Sequence, residues 1–460
     1  MFRKLETLEN TLDIQNEDKR IGSNFLGILN DLKRRPEDAA RELGVTTEEI
    51  DLIIEGEKKL SSEMVEHAAK IWPINERDFY IVRDDCTLGV KIMTSTNSEK
   101  SSRVMNRAGK PYYEYRDTAM SSLAPFRPEW IMELCYVHDN DPNNPNVQWN
   151  NGHFMHQFTY FIGEVNFYYL DSDGKKQVAV MNTGDSMYIT PFTSHTFTSR
   201  AGSEKNGLIL ALTYGNKLTG DVQQELSSIS SELGQEYALD FSSREKAFSS
   251  LLTFHREIGS VSIKELSKRS SITENKIEDF ENNVAIPSET ELQKLASSLN
   301  VNVRDLLPND KIGKKVILQF HTEGKNWFFP ESENYKFHDL ASSSTLPYSK
   351  AFEIDVLSQD DTLLDLKVGL HQYVYNIGNT DVHLNWLYDN KQHSKIIHPG
   401  DSAYLKPFLQ HNFRGSGKLL ALRLGGKITG DSQRELSFVG KANVKRAINE
   451  SMQWFDPKNN

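Results

Sequence analysis

Three side chains set the chemistry open to this sequence: His153, Gln157 and His195. They lie in a stretch that opens Asn150-Asn151-Gly152-His153-Phe154-Met155-His156-Gln157-Phe158-Thr159-Tyr160-Phe161 and closes Gly184-Asp185-Ser186 to Pro191-Phe192-Thr193-Ser194-His195. Alternate side chains of a strand share a face, so His153, Met155, Gln157, Thr159 and Phe161 are expected on one face and His156 on the other. His153 and Gln157 then point inward together. His195, after a Gly-Asp turn and a proline, offers a third ligand from a later strand. Two histidines plus one oxygen ligand, with the opposite metal face open, is the arrangement of non-haem Fe(II) oxygenases. Here the oxygen offered belongs to an amide. One histidine in a strand is usually a core or surface residue; three converging candidates point to a metal.

The elements that must position them are short and alternating. Val165 to Leu170 and Val178 to Met181 flank an Asp171-Ser172-Asp173-Gly174 turn, which reads as antiparallel hairpins closing a small β-barrel. The Gly-Asp, Pro and His punctuation is that of a cupin's second motif.

At 460 residues the chain is long enough for about three or four modules with cores of their own. A net charge of -11 argues against a nucleic-acid or membrane-surface protein. Cys86 and Cys135 are too few for a disulfide framework or a thiolate metal site. No apolar run approaches the roughly 20 residues of a bilayer span, and Met1 to Arg20 is charged without a signal-peptide core, so a cytoplasmic protein is expected.

Residues Gly22 to Ile71 read as short helices: Phe25 to Arg34, Pro36 to Leu43, Thr47 to Glu55 and Ser62 to Ile71. The Leu43-Gly44-Val45-Thr46 turn suggests a helix-turn-helix unit. Its would-be recognition helix carries Glu48, Glu49, Asp51 and Glu55, which a phosphate backbone repels. After a charged, Ser-rich connector from Thr94 to Ser102, strand-like segments lead to the barrel.

The pattern then begins again. Leu420-Ala421-Leu422-Arg423-Leu424-Gly425-Gly426-Lys427-Ile428-Thr429-Gly430-Asp431 repeats Leu210-Ala211-Leu212-Thr213-Tyr214-Gly215-Asn216-Lys217-Leu218-Thr219-Gly220-Asp221, the sign of an internal duplication. Lys246 to Pro308 supplies a second helical unit whose third helix, Thr273 to Asn283, is acidic too (Glu274, Glu278, Asp279, Glu281). Gly400-Asp401-Ser402, Pro407 and His411 match Gly184-Asp185-Ser186, Pro191 and His195. The expected order is a helical domain (1-75), a barrel (76-240), a second helical domain (241-310) and a second barrel (311-460), an α+β protein.

The halves differ where chemistry would sit. Val368 stands opposite His153, while Gln372 and His411 stay opposite Gln157 and His195. Phe337 replaces Tyr115, and Phe329 stands opposite Arg107. One active site per chain is expected, in the first barrel.

Helix-turn-helix plus cupin modules with Gly-His-x-x-x-Gln, together with Tyr113-Glu114-Tyr115-Arg116-Asp117-Thr118-Ala119-Met120-Ser121 and the spacing Asn150, His153, Gln157, His195, resemble a group of non-haem iron enzymes. The group includes hydroxypropylphosphonate epoxidase and hydroxyethylphosphonate dioxygenase. The resemblance covers nearly the whole chain and implies a duplicated helix-turn-helix plus cupin (bicupin) architecture with one active barrel. In the group, a carboxylate ligand comes four positions after the first histidine or six before the second. Here those positions hold Gln157 and Ile189, the pattern of the methylphosphonate-forming branch.

The resemblance further implies Fe(II) on His153, Gln157 and His195, and a phosphonate pocket of Lys33, Arg107, Tyr115 and Asn150, with His195 beside the substrate. Gln157, Tyr115 and Lys33 are the implied catalytic residues, and Lys33 could serve its own chain's pocket or a neighbour's. The implied substrates are 2-hydroxyethylphosphonate and O2, the products methylphosphonate and CO2. The implied alternative is hydroxymethylphosphonate with formate; a cupin-type transcription regulator is the alternative of another class. No nucleic-acid or membrane partner is expected, and self-association is compatible with the sequence. The chemistry fits independently of the resemblance, since a phosphonate dianion calls for a guanidinium fork, a mobile ammonium and neutral donors.

Overall fold

The computed structural model describes residues 2–124, 126–214, 218–308, 314–359 and 363–455, with the backbone alone for 2–16. Residues 215–217 of the repeated ending therefore lie outside the described residues. The protein is α+β and divides into two compact units, one of Met1–Leu88, Ser121–Ala124 and Gly425–Asn460, the other of Gly89–Met120 and Pro125–Leu424.

The first unit is helical. Phe2–Asp31, Pro36–Leu43, Thr47–Ile54 and Ser62–Ile71 surround a core of Phe25, Leu29, Ala40, Leu43, Ile50, Ile53, Val65 and Trp72. Gly44, with φ 73°, ends the second helix, and the hydroxyls of Thr46 and Ser61 accept from Glu49 N and Met64 N at 3.1 and 3.2 Å, starting the next two. The sequence reading began the first helix at Phe25, whereas it begins at Phe2. The added turns are rich in Leu, Glu, Lys, Arg and Gln, which are good helix formers, so charge there does not break the helix. Two further helices, Asp431–Val439 and Lys441–Ile448, belong to this unit.

The second unit holds the same two-sheet arrangement twice. In the first sandwich a seven-stranded sheet runs in the order Val316–Gln319, Ser186–Ile189, His156–Ile162, Leu208–Tyr214, Arg127–Glu133, Lys110–Asp117, Arg103–Arg107. It faces a four-stranded sheet of Tyr136–Val137, His195–Arg200, Val165–Leu170 and Lys176–Met181. Phe161, Met187, Ile189, Ile131 and Ile209 of one sheet meet Phe167, Ala179, Met181 and Phe197 of the other, and this shared interior is the core. The second sandwich repeats the order, from Val90–Met93 through Ser402–Leu405, His371–Asn376, Lys418–Leu424, Ser349–Val356 and Tyr335–Asp339 to Asn326–Phe329. Helices Arg244–Ile258, Ile263–Ser270, Glu274–Glu281 and Glu289–Leu299 stand between them in the chain, around Phe248, Leu252, Leu266, Ile277 and Leu295.

Each half lends the other an edge strand. Val90–Met93 pairs with Ser402–Leu405, and Val316–Gln319 with Ser186–Ile189. The Gly-Asp-Ser motifs hold this exchange together. Asp401 Oδ1 accepts from Ser95 N at 2.7 Å and Asp185 Oδ1 from His321 N at 2.8 Å, while Ser402 Oγ and Ser186 Oγ accept from Ala119 N and Ala341 N at 2.8 and 2.9 Å. Ser95–Lys100, read from the sequence as connector, is a short helix capped by Thr94. Buried groups lock the sandwiches further: Tyr160 Oη donates to Glu353 Oε1 at 2.6 Å, and Trp130 meets Tyr375 edge-on at 5.6 Å. Among the described residues no helix is long and apolar enough to cross a membrane.

Candidate metal centre

The structure brings His153, Gln157 and His195 together at one end of the first sandwich. Gln157 sits in the strand His156–Ile162, across from Thr213 on one side and Ile189 on the other. His195 opens the strand His195–Arg200. His153 differs from the sequence expectation: the strand begins at His156, so strand alternation does not place it. A turn does. Gly152 has φ 75°, and a Cβ there would lie 2.6 Å from the Phe192 backbone carbon, so glycine lets the loop press against Phe192. Phe192 N then donates to His153 O at 2.7 Å and fixes the histidine.

The hydrogen bonds settle which atoms remain for a ligand. His153 Nδ1 lies 2.7 Å from Met155 O and His195 Nδ1 2.8 Å from Thr193 O. A carbonyl only accepts, so both Nδ1 atoms carry hydrogen and a neutral ring turns its Nε2 lone pair to the site. Burial, opposed by the Thr193 carbonyl, pulls the His195 pKa down to about 3, which keeps that ring neutral. Gln157 Nε2 donates to Thr159 Oγ1 at 2.8 Å, which turns Oε1 toward His153 Nε2, 2.9 Å away. A proton on Nε2, or a metal ion held by both atoms, would satisfy that approach. The rings of His153 and His195 are 5.2 Å apart and nearly perpendicular. Among the described residues no three His, Cys, Asp or Glu side chains form a metal cluster; the convergence here is two imidazoles and an amide oxygen. That donor set fits a divalent first-row ion with imidazole and oxygen ligands.

Asn150 clamps His195. Its Oδ1 accepts from His195 N and Gly152 N, both at 2.9 Å, and its Nδ2 lies 3.3 Å from His195 Nε2. Arg107 lies against the rings of Tyr113 and Tyr112 at 4.7 and 5.1 Å, and its Nη1 donates to Gln148 O at 2.6 Å and Thr196 Oγ1 at 3.2 Å. Its Nε and Nη2 have no partner among the described residues, so half of the fork is left for an anion. Tyr115 packs on the interior cluster, and its hydroxyl makes no hydrogen bond among the described residues; burial, then the Glu133 charge, pushes its pKa up to about 12. It is thus a neutral donor. Lys33 belongs to the helical unit. Its Nζ donates to Asp31 O at 2.9 Å and lies 4.9 Å from the Trp454 ring centroid.

Two groups escaped the sequence reading. Thr196 Oγ1 is a hub, 2.8 Å from Tyr113 Oη and 3.2 Å from both Tyr112 Oη and Arg107 Nη1. Glu133 is fully buried with neither carboxylate oxygen partnered among the described residues, and burial raises its pKa well above the usual range against the pull of Arg107. It shares the interior face with Ile131 and pairs with Tyr113; in the second sandwich Tyr335 pairs with Val356. The comparison of halves that exposed Tyr115 therefore contained this signal as well, but it misplaced Arg107: Phe329 lies opposite Tyr335 as Met105 lies opposite Tyr113, so Phe329 is the counterpart of Met105 and the bulged hairpin that carries Arg107 differs in the second sandwich.

No family model matches the chain. Over 439 residues, 95% of this chain and 96% of the other, it is 64% identical to methylphosphonate synthase of Nitrosopumilus maritimus (strain SCM1). The chain belongs to the methylphosphonate synthase family. Among solved structures, Streptomyces albus HEPD with substrate 2-hydroxyethylphosphonate and Fe(II) bound is similar at 34% identity and TM-score 0.88, covering 96% of this chain and 99% of that one. A cadmium complex of PhpD, at 18% identity and TM-score 0.74, shares the fold over 93% of this chain and 99% of its own. The fold of this methylphosphonate synthase family chain is thus matched along almost its full length.

Proposed function

We propose that this chain is a non-haem Fe(II), O2-dependent oxidoreductase that cleaves the C–C bond of 2-hydroxyethylphosphonate to give methylphosphonate and CO2. The observation that carries it is the convergence of His153 Nε2 and Gln157 Oε1, 2.9 Å apart, with the neutral ring of His195, in a chain 64% identical to a methylphosphonate synthase. His153, Gln157 and His195 hold the iron, which when bound supplies the O2 chemistry. The two-sheet units are cupin barrels in a bicupin, with the first one active.

The chain's own residues bind and orient. Arg107 presents Nε and Nη2 to two phosphonate oxygens, its third nitrogen being anchored on Gln148 and Thr196. Tyr115 and Asn150 add neutral donors, while Lys33 lies in the helical unit with its Nζ on Asp31 O. Asn150 has a second task, since the same amide that would meet substrate holds the His195 backbone. Phe161, Phe167 and Phe197 pack in the sandwich interior beneath the site, the Phe197 ring 5.7 Å from that of His195. Gln157 and Ile189 fill both positions where the resemblance would put a carboxylate, which favours methylphosphonate over hydroxymethylphosphonate as product.

The test is metal content and oxygen uptake together. Wild-type chain reconstituted anaerobically should hold about one Fe(II) and consume O2 only with 2-hydroxyethylphosphonate present, whereas H153A and H195A, folded by circular dichroism, should lose the iron. Full iron retention in both variants would overturn the assignment.

A further inference from the structure

The second sandwich keeps the loop geometry of the first, and two of its differences fall beside the ligand positions. Phe408 N donates to Val368 O at 2.6 Å, as Phe192 N does to His153 O at 2.7 Å, and Phe192 and Phe408 share φ values of 60° and 61°. His411 Nδ1 lies 2.8 Å from Leu409 O, as His195 Nδ1 does from Thr193 O. The loops are therefore equivalent. The first difference is Val368 in place of His153. The second lies across the strands: Gln157 pairs with Thr213, and Gln372 pairs with Arg423.

Arg423 reverses the amide. Its Nε donates to Gln372 Oε1 at 2.8 Å, and Gln372 Nε2 in turn lies 3.1 Å from His411 Nε2. In the first sandwich the amide presents oxygen to a histidine; in the second it presents N–H. The guanidinium lies between the Phe352 and Phe337 rings, 5.3 and 5.6 Å from their centroids, a setting that stabilises a cation short of water. Burial pulls its pKa down to about 10, which leaves it charged near neutral pH.

We propose that Arg423 is the second sandwich's built-in counterpart of the metal ion: its guanidinium takes the amide oxygen that an ion would take, turns the amide N–H onto the His411 lone pair, and so closes the site to metal. This rests on the reading of His153, Gln157 and His195 as a metal centre. It goes beyond the loss of one ligand, because Val368 alone would leave Gln372 and His411 as a weak two-ligand site. Arg423 takes the amide oxygen of that remnant, its own buried Nη2 being without a hydrogen-bond partner among the described residues, and the chain holds one metal where its duplication offered two.

The test uses the full chain and Co(II), read as cobalt per chain after desalting and as visible d–d absorption. Wild type should bind one cobalt. V368H, which restores the histidine but keeps Arg423, should still bind one, and V368H/R423T should bind two. The converse substitution T213R places a guanidinium beside Gln157 and should reduce binding to none with the fold retained. T213R decides the matter if V368H/R423T does not fold. One cobalt in wild type with two in V368H, one in folded V368H/R423T, or one at unchanged affinity in T213R would each overturn the inference alone. No cobalt in wild type would overturn the metal reading itself, and this inference with it.

Discussion

Replacing Arg107 by lysine keeps the charge and removes the planar fork, so it isolates what the geometry contributes. Arg107 Nη1 is committed to Gln148 O and Thr196 Oγ1, which leaves Nε and Nη2 for two phosphonate oxygens. Hydrogen bonds to charged groups contribute about 1.5–3 kcal/mol each, and a lysine held at one position supplies one of the two. R107K should therefore weaken 2-hydroxyethylphosphonate binding by about 10- to 150-fold. R107F loses both bonds and should weaken it by about 10² to 10⁴. Because the phosphonate oxygens are unchanged by the C–C cleavage, their bonds to Arg107 are made in ground state and transition state alike, so the loss should fall mainly on KM and less on kcat. Anaerobic calorimetric titration of the iron-loaded variants gives the affinity, and oxygen uptake gives the split. A folded, iron-replete R107F with affinity within about threefold of wild type would refute the placement of Arg107 in the phosphonate pocket.

Other expectations follow from buried carboxylates and from the metal set. Glu353 is driven up by burial but more strongly down by hydrogen bonds from Tyr160 and Lys418, so its folded pKa lies below its unfolded one; its stabilisation is present above roughly pH 4.3 and is lost as pH falls through the folded value. E353Q should cost about 1.5–3 kcal/mol at pH 7, a difference that disappears in acid, as urea unfolding at both pH values would show. Glu133 runs the other way: raised by burial, it stabilises fully below roughly pH 4.3 and loses about 1.4 kcal/mol per unit as pH rises toward its folded pKa. E133Q should thus be more stable than wild type at pH 7 and equal to it at pH 4; equal pH slopes for the two proteins would contradict a neutral Glu133. Q157E adds a carboxylate to a set with no anionic ligand and should lower the Fe(II) dissociation constant, measured by competition with a chelator.

The sequence carried more of the site than of its scaffold. His153 and Tyr115 stood out because the duplication supplies an internal control, each facing an apolar residue in the other half (Val368 and Phe337), whereas Gln157 and His195 keep their types in Gln372 and His411 and were singled out by spacing. His153 was reached by the wrong route: it lies in a loop held by Gly152 and Phe192, and strand alternation cannot see a contact made across 39 residues of chain. The exchanged strands Val90–Met93 and Val316–Gln319 were invisible for a related reason, since an edge strand's partner is set by tertiary register and its own four residues carry no mark of it. Asp185 and Asp401 were read as punctuation of a motif, whereas their carboxylates cap the exchanged segments. Thr196 could not be singled out from type alone, because a threonine in a strand is ordinary and only its three contacts make it a hub.

The most direct measurement is phosphorus NMR of an iron-loaded sample mixed anaerobically with 2-hydroxyethylphosphonate and then exposed to O2. The account predicts a methylphosphonate resonance with CO2 released in equal amount. A hydroxymethylphosphonate resonance with formate, or an unchanged substrate signal from protein confirmed to hold iron, would contradict it.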